Sequence, residues 1–157
     1  MHLNLPVAHF DLIASSHHLE HIPRWEQAEV WRKLFHLTKP GGACEHIVPN
    51  IDWAAAKILD GEADGNVMNV LYGAQEAQGY DRIWNTHFFG YTKGIAKALA
   101  EEAGYVDVVV EDWRDRPELG YEMVIRGRRP GVDENVTLEC PAIEVSLSEA
   151  AELVEAA

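Results

Sequence analysis

The chain has 157 residues, 47% of them hydrophobic and five of them Trp, which suits one folded domain with a real core and excludes a disordered polymer. Its formal net charge of −13 argues against a protein that grips nucleic-acid backbone or an anionic membrane, since both need clustered Lys and Arg. The expected partner is a small molecule or a protein.

Cys44 and Cys140 lie far apart without C-x-x-C spacing, and the N-terminus has neither the basic flank nor the apolar run of a signal peptide. No apolar stretch approaches the roughly 18 residues of a membrane helix. A reducing cytoplasm is the expected compartment.

In chain order, His9 to Ser15 reads as a short apolar strand. Pro23 suits the first turn of a helix, along which Trp25, Ala28, Trp31, Leu34 and Phe35 recur at spacings of three and four and predict one buried stripe. That helix should end at Thr38-Lys39-Pro40, with Gly41-Gly42 turning the chain into a strand from Ala43 to Val48, closed by Pro49-Asn50. Residues 53–79 read as two helical pieces broken around Gly61 to Gly65, followed by a polar and aromatic loop from Gly79 to Gly90. Thr92 can cap a helix to about Ala103, with Ile95 and Leu99 on its buried face and Gly104 as its stop.

Tyr105 to Val110 and Tyr121 to Arg126 are β-rich, joined by a turn-prone stretch with Pro117 and Gly120. Alternating strand and helix predicts an α/β layered fold with a mostly parallel sheet. From Pro130 onward there is no Lys or Arg but seven acidic residues, and Ser146 with Glu149 forms a capping box for a short terminal helix to Ala157. The expected division is a domain over residues 1–128 and an acidic tail over 129–157.

One block carries more information than the rest. Phe10-Asp11-Leu12-Ile13-Ala14-Ser15-Ser16-His17-His18-Leu19-Glu20-His21-Ile22 is followed by a helix and then by Thr38-Lys39-Pro40-Gly41-Gly42. It resembles the pattern F-D-x-[IV]-x-x-[ST]-x-x-L-E-H-[IV], helix, L-K-P-G-G of class I S-adenosylmethionine-dependent methyltransferases of type 11, with Thr38 in the usual leucine position. Gly73-Ala74-Gln75, His87-Phe88-Phe89-Gly90-Tyr91-Thr92 and Ala103-Gly104-Tyr105 are similar to later signatures of small bacterial members. The resemblance covers roughly residues 5–126. It implies a partial Rossmann-like methyltransferase sheet, the second half of the doubly wound fold, whose strands are conventionally ordered fourth, fifth, seventh and sixth, with flanking helices. The glycine-rich G-x-G-x-G loop and the acidic ribose-binding residue, which the family carries upstream, are absent from the sequence. The expectation is a truncated domain that takes S-adenosylmethionine weakly, or with the help of a partner or of a missing N-terminal segment.

The resemblance also implies roles for individual residues. Ser15, Ser16 and His17 fall beside the methionine part of the cofactor, Glu20 and His21 where a base would meet the methyl acceptor, and His87 and Tyr91 on the substrate side. Plainer roles stand next to these: His21 bracing the strand-to-helix turn, Glu20 interacting with a helix dipole, and Trp84, Phe88, Phe89 and Tyr91 packing as an aromatic cluster. His17-His18-Leu19-Glu20-His21 also spells H-x-x-E-H, the zinc motif of inverted metalloproteases, with His46, His87 or one of many carboxylates as a third ligand. That motif needs a helix through it, whereas a strand precedes it and Pro23 follows, so no metal is expected. The activity implied is methyl transfer to an unidentified acceptor. The alternative is a non-catalytic remnant acting as an interaction or regulatory subunit. Taken as it stands, the chain leaves its first strand as a nearly apolar edge, which predicts a homo-oligomer or a complementing polypeptide that carries the glycine loop.

Overall fold

The computed structural model describes residues 7–74, 85–113 and 121–131. In order they form β1 (Phe10–Ser16), a 3₁₀ turn (Leu19–His21), a second one (Arg24–Glu26), α1 (Gln27–Leu37), β2 (Thr38–Pro49), α2 (Ile51–Leu59), α3 (Gly65–Tyr72), α4 (Lys93–Ala103), β3 (Val106–Asp112) and β4 (Glu122–Arg128). Residues 132–157 of the acidic tail with its expected helix, Cys140 among them, and Gln75 and Trp84 lie outside the described residues.

The strands make one sheet in the order β1-β2-β4-β3, with β1 on an edge. This is the fourth, fifth, seventh, sixth arrangement that the resemblance implied. Three strands, β1, β2 and β3, run in one direction as expected, and β4 alone is reversed, antiparallel to both of its neighbours, so that β1 and β2 are the one pair bonded in parallel among the described residues. The cause is the link from β3 to β4, which is too short for the dozen or more residues that a parallel crossover takes. β4 therefore inserts between β2 and β3, which run in the same direction.

β2 starts directly at the end of α1, so Lys39 to Gly42 lies inside a strand and is not a turn before one. The pairing jumps from Phe10 opposite Thr38 to Leu12 opposite Ala43, which throws these residues out as a bulge. Gly41 has a φ of +79°, and a Cβ on Gly42 would come within 2.9 Å of the Asp11 carbonyl oxygen, so both glycines are required where the strands approach. Lys39 Nζ ties the bulge down with hydrogen bonds of 3.0 Å to both carboxylate oxygens of Asp11.

α1 begins at Gln27, four residues later than Pro23 suggests, because the chain first makes a separate 3₁₀ turn. Trp25 thereby swings out to 82% exposure and Ala28 also faces solvent, while Trp31 is fully buried with Leu34 and Phe35 packed beside it. α4 starts and stops as its sequence predicts: the Thr92 side chain accepts from Ile95 N at 3.1 Å, and Gly104 adopts the left-handed conformation. Its buried stripe is rotated by one position, however. Ala96 and Ala100 are buried, Leu99 is half-buried, and Ile95 is 41% exposed. Two alanines facing inward let α4 sit close against α1 and β3.

α1 and α4 thus cover one face of the sheet. Trp31 packs edge-on against His46 and Tyr105 at 5.2 and 6.4 Å, with Cys44, Val48, Met123 and Ile125 closing the core. Along the opposite face Arg126 bridges the strands, donating to Glu45 at 2.7 Å and to Glu111 at 2.8 Å. α2 and α3 are capped by the side chains of Asn50 and Asp64 and pack on each other through Ala54, Val67 and Val70. Among the described residues no helix is long and apolar enough to cross a membrane.

Candidate functional site

An open α/β sheet binds ligands outside the carboxyl ends of its parallel strands. Here those ends are Ser16 of β1 and Pro49 of β2. The chain leaves β1 through His17, whose φ of +50° turns it sharply while its backbone N–H still donates to Ile47 O at 3.0 Å. The 3₁₀ turn that follows buries Leu19 and Glu20. Residues 85–89 are then laid across that turn. Phe88 N and Phe89 N both donate to Glu20 O at 2.8 and 3.1 Å, and His87 N donates to Tyr72 O at 3.2 Å. The crossing is possible because residue 73 is glycine: a Cβ there would stand 1.6 Å from Asn85 O.

These contacts bring four titratable side chains together. Glu20 is 1% exposed, and neither of its carboxylate oxygens makes a hydrogen bond among the described residues. Its Oε1 lies 3.3 Å from His17 Nδ1 and 3.8 Å from His21 Nε2, outside hydrogen-bonding geometry but within Coulombic reach. His17 also meets Glu122 Oε1 at 3.0 Å through Nε2, and the two carboxylates, Glu20 foremost, hold its pKa above the ordinary imidazole value against the opposing effect of burial. His21 donates Nδ1–H to Thr86 O at 3.0 Å, and His87 donates Nδ1–H to Val70 O at 2.9 Å. A carbonyl can only accept, so each ring is fixed in the tautomer that leaves Nε2 with a free lone pair. Their ring centroids are 5.2 Å apart. Burial lowers the pKa of His87, which favours its neutral form. Beside the group opens a cavity of about 240 Å³, lined by His17, His87, Asn66, Asn69, Val70 and Tyr121 among others.

Of the residues singled out from the sequence, His17, Glu20, His21 and His87 therefore converge. Ser16 is exposed at the end of β1 next to them. Ser15 and Tyr91 lie elsewhere. Ser15 Oγ is spent on a 2.8 Å hydrogen bond to Nδ1 of His46, a fully buried ring whose pKa burial pushes down to about 4. Tyr91 is in the core and not on the substrate side: its hydroxyl donates to Gln27 Oε1 and accepts from Trp31 Nε1 at 3.3 Å, and burial raises its pKa. Phe89 packs edge-on against it at 4.8 Å. The inverted metalloprotease pattern fails on geometry, since Leu19–His21 is one 3₁₀ turn and no α-helix stacks His17 over His21.

Gln27, Glu122 and the two asparagines of the cavity went unremarked in the sequence. For Gln27 a signal existed, because it lies four residues before Trp31 and so shares the buried face of α1. For Glu122, Asn66 and Asn69 only the fold reveals the approach.

No family profile and no curated protein matches the sequence. Solved structures match its fold. A possible exported protein from Bordetella parapertussis superposes with a TM-score of 0.55 at 20% identity over 81% of this chain and 41% of its own. An S-adenosylmethionine-dependent methyltransferase from Archaeoglobus fulgidus gives 0.53 at 12% identity over 80% and 62%. Human N-acetylserotonin methyltransferase, in complex with S-adenosylmethionine, gives 0.50 at 16% identity over 76% and 29%. The chain spans less than two thirds of each of these proteins. Its fold is that of the class I S-adenosylmethionine-dependent methyltransferases.

Proposed function

We propose that the chain supplies the acceptor-side half of a methyltransferase that uses S-adenosylmethionine, with the grip on most of the cofactor coming from a glycine-loop segment that covers β1, on a partner or on the same polypeptide. The observation that supports this is the strand order β1-β2-β4-β3, with a single antiparallel β4, ending in a polar cluster at the carboxyl ends of β1 and β2. The residues present fit only part of the cofactor. Ser16 and His17 can flank its methionine end, whereas no glycine-rich loop occurs in the 157 residues.

The cofactor supplies an electrophilic methyl group; the chain's own residues handle the acceptor. His87 walls the cavity and orients a bound molecule. His21, whose Nδ1 is engaged by Thr86 O, offers Nε2 to take the proton that an acceptor O–H or N–H loses as its new bond to carbon forms. The Glu20 carboxylate, 3.8 Å away, then stabilises the resulting imidazolium. The acceptor's chemical identity is left open by these groups, because many hydroxyls and amines meet the same demands.

A second reading, a non-catalytic interaction subunit, draws on one observation: the β1 edge exposes Leu12 at 56% and has no neighbour among the described residues. Titration of labelled protein with S-adenosylhomocysteine, followed by NMR, separates the two. The methyltransferase reading expects shifts confined to residues 15–21 and 85–89 that saturate in the millimolar range, about −4 kcal/mol of binding. Absence of shifts at millimolar ligand favours the interaction subunit, and micromolar affinity for the isolated chain overturns the need for a partner. Light scattering at micromolar protein completes the test: association through β1 should be weakened by Leu12→Lys, and a monomer indifferent to that change refutes pairing at this edge.

A further inference from the structure

Glu20, His21 and His87 place one carboxylate and two imidazoles so that their ligating atoms all lie within 4.8 Å of one another. Ligands of a tetrahedral zinc ion sit about 2.0–2.2 Å from the metal and hence roughly 3.4 Å from each other. Side-chain rotations that draw the three in by about an ångström would complete such a set.

Three observations set the group apart from a chance meeting of polar side chains. Glu20 is 1% exposed with neither oxygen in hydrogen-bonding geometry among the described residues, and the nearest imidazole that can offset its charge when protonated, His17 at 3.3 Å, is itself 44% exposed, so a cation on the buried side would lower the cost of the carboxylate. Both imidazoles are held by Nδ1–H donation to backbone carbonyls, Thr86 for His21 and Val70 for His87. That is the outer support which fixes a metal-ligating ring and turns its Nε2 toward the ion. Finally, the backbone of Glu20 itself anchors the segment that carries His87, through the amides of Phe88 and Phe89, so the ligands belong to one braced unit despite their distance in sequence.

We propose that Glu20, His21 and His87 bind a first-row divalent cation, for which zinc is the best match to two imidazoles and one carboxylate, with a fourth position left open. The site differs from the H-x-x-E-H arrangement. Glu20 is a ligand and not a base, and the second imidazole comes from His87, 66 positions after His21 in the sequence, and not from His17. His17, 3.3 Å from Glu20 Oε1, is the competitor: when protonated it supplies the positive charge that the metal would otherwise bring. The test of this proposal involves neither cofactor nor acceptor, and the two readings compete for one nitrogen: with zinc bound, Nε2 of His21 has no lone pair left for an acceptor's proton.

The experiment is calorimetric titration of the full chain, stripped of metal by chelation, with zinc chloride, and with magnesium chloride as the control. One zinc per chain at micromolar or tighter affinity is expected, with magnesium far weaker, and ¹⁵N spectra should show metal-induced shifts at Nε2 of His21 and His87. Glu20→Gln and His87→Asn should each weaken zinc at least tenfold, while His36→Gln, on the exposed side of α1, should leave it unchanged. Absence of stoichiometric zinc, affinity retained in a folded His87→Asn protein, or an equal loss in His36→Gln overturns the proposal. Should the ligand variants fail to fold, cobalt added to the wild-type chain decides: paramagnetic broadening centred on Glu20, His21 and His87 supports the site, and broadening centred elsewhere refutes it.

Discussion

Two sets of buried polar side chains lie almost back to back in this molecule and could hardly be more different. In the first, every group has a partner. Gln27 Nε2 donates to Leu19 O and Ile22 O at 2.8 Å each, its Oε1 accepts from Tyr91, and Tyr91 in turn accepts from Trp31. Nearby, the Thr38 hydroxyl donates to Leu34 O at 2.8 Å and receives the Tyr105 hydroxyl at 2.9 Å. In the second set, Glu20 makes no hydrogen bond and Nε2 of two imidazoles is unengaged, among the described residues. The saturated set grips the backbone on both sides of Glu20-His21, so the unsaturated set is held in place by groups that have no chemistry left to offer. Satisfied networks make scaffolds and unsatisfied ones make sites.

Substitutions can break or sharpen that contrast. The largest effect is expected for Trp31→Ala, which empties the centre of the saturated side and should cost about 3–5 kcal/mol in urea unfolding; a cost under about 1 kcal/mol would dissolve the distinction. Acid comes next, acting through His46. Its folded pKa of about 4 lies below the unfolded value of about 6.5, so the unfolded chain takes up the proton first, and stability falls as pH drops from 6.5 toward 4 by roughly 3 kcal/mol. His46→Gln should flatten that slope in unfolding curves measured at pH 7 and pH 4.5. His17 works in the other direction. Raised by Glu20 and Glu122, it contributes fully below the unfolded imidazole value and loses its contribution as pH climbs through the folded one.

Tyr91→Phe leaves the Gln27 oxygen without its donor and should cost about 1–3 kcal/mol by the same assay. Glu20→Gln is the smallest and runs opposite in sign: relieving a buried charge whose oxygens lie outside hydrogen-bonding geometry should offset the loss of its contact with His17, leaving stability at pH 7 unchanged or raising it by about 1 kcal/mol. A clear loss there would move Glu20 to the scaffold side.

The sequence made the strand order legible through its motifs, because F-D-x-I, L-E-H and the glycines after α1 mark the junctions of one particular half-sheet. It misled at Gly41-Gly42, where the same residues that make a turn also make a bulge, and only the approach of β1 distinguishes the two. The stripe on α4 was read one position off at Ile95 because periodicity gives spacing but not phase, and Trp25 was read into α1 although it lies in the 3₁₀ turn before it. At the site, Glu20 and His21 were visible as neighbours in one motif. The arrival of His87 depends on a glycine at 73 that clears its path, and the retreat of Tyr91 into the core depends on a glutamine 64 residues away. Neither relation has a local signature.

The bulge at Lys39 to Gly42 also limits what β1 can offer on its outer side. Continuous pairing with β2 begins only at Leu12, and along a strand alternate residues direct their amide and carbonyl to opposite sides. Between Leu12 and Ser16 an incoming strand thus finds two or three residues' worth of backbone groups, about four to six hydrogen bonds at a net ~0.5–1.5 kcal/mol each. Bringing two separate molecules together costs about 4–15 kcal/mol in lost freedom of motion. A free strand of matching length should therefore slide off as readily as it settles. Whatever docks here durably has to bring a surface along with its backbone, resting on Leu12 and the faces of the sheet beside it, or arrive already tethered.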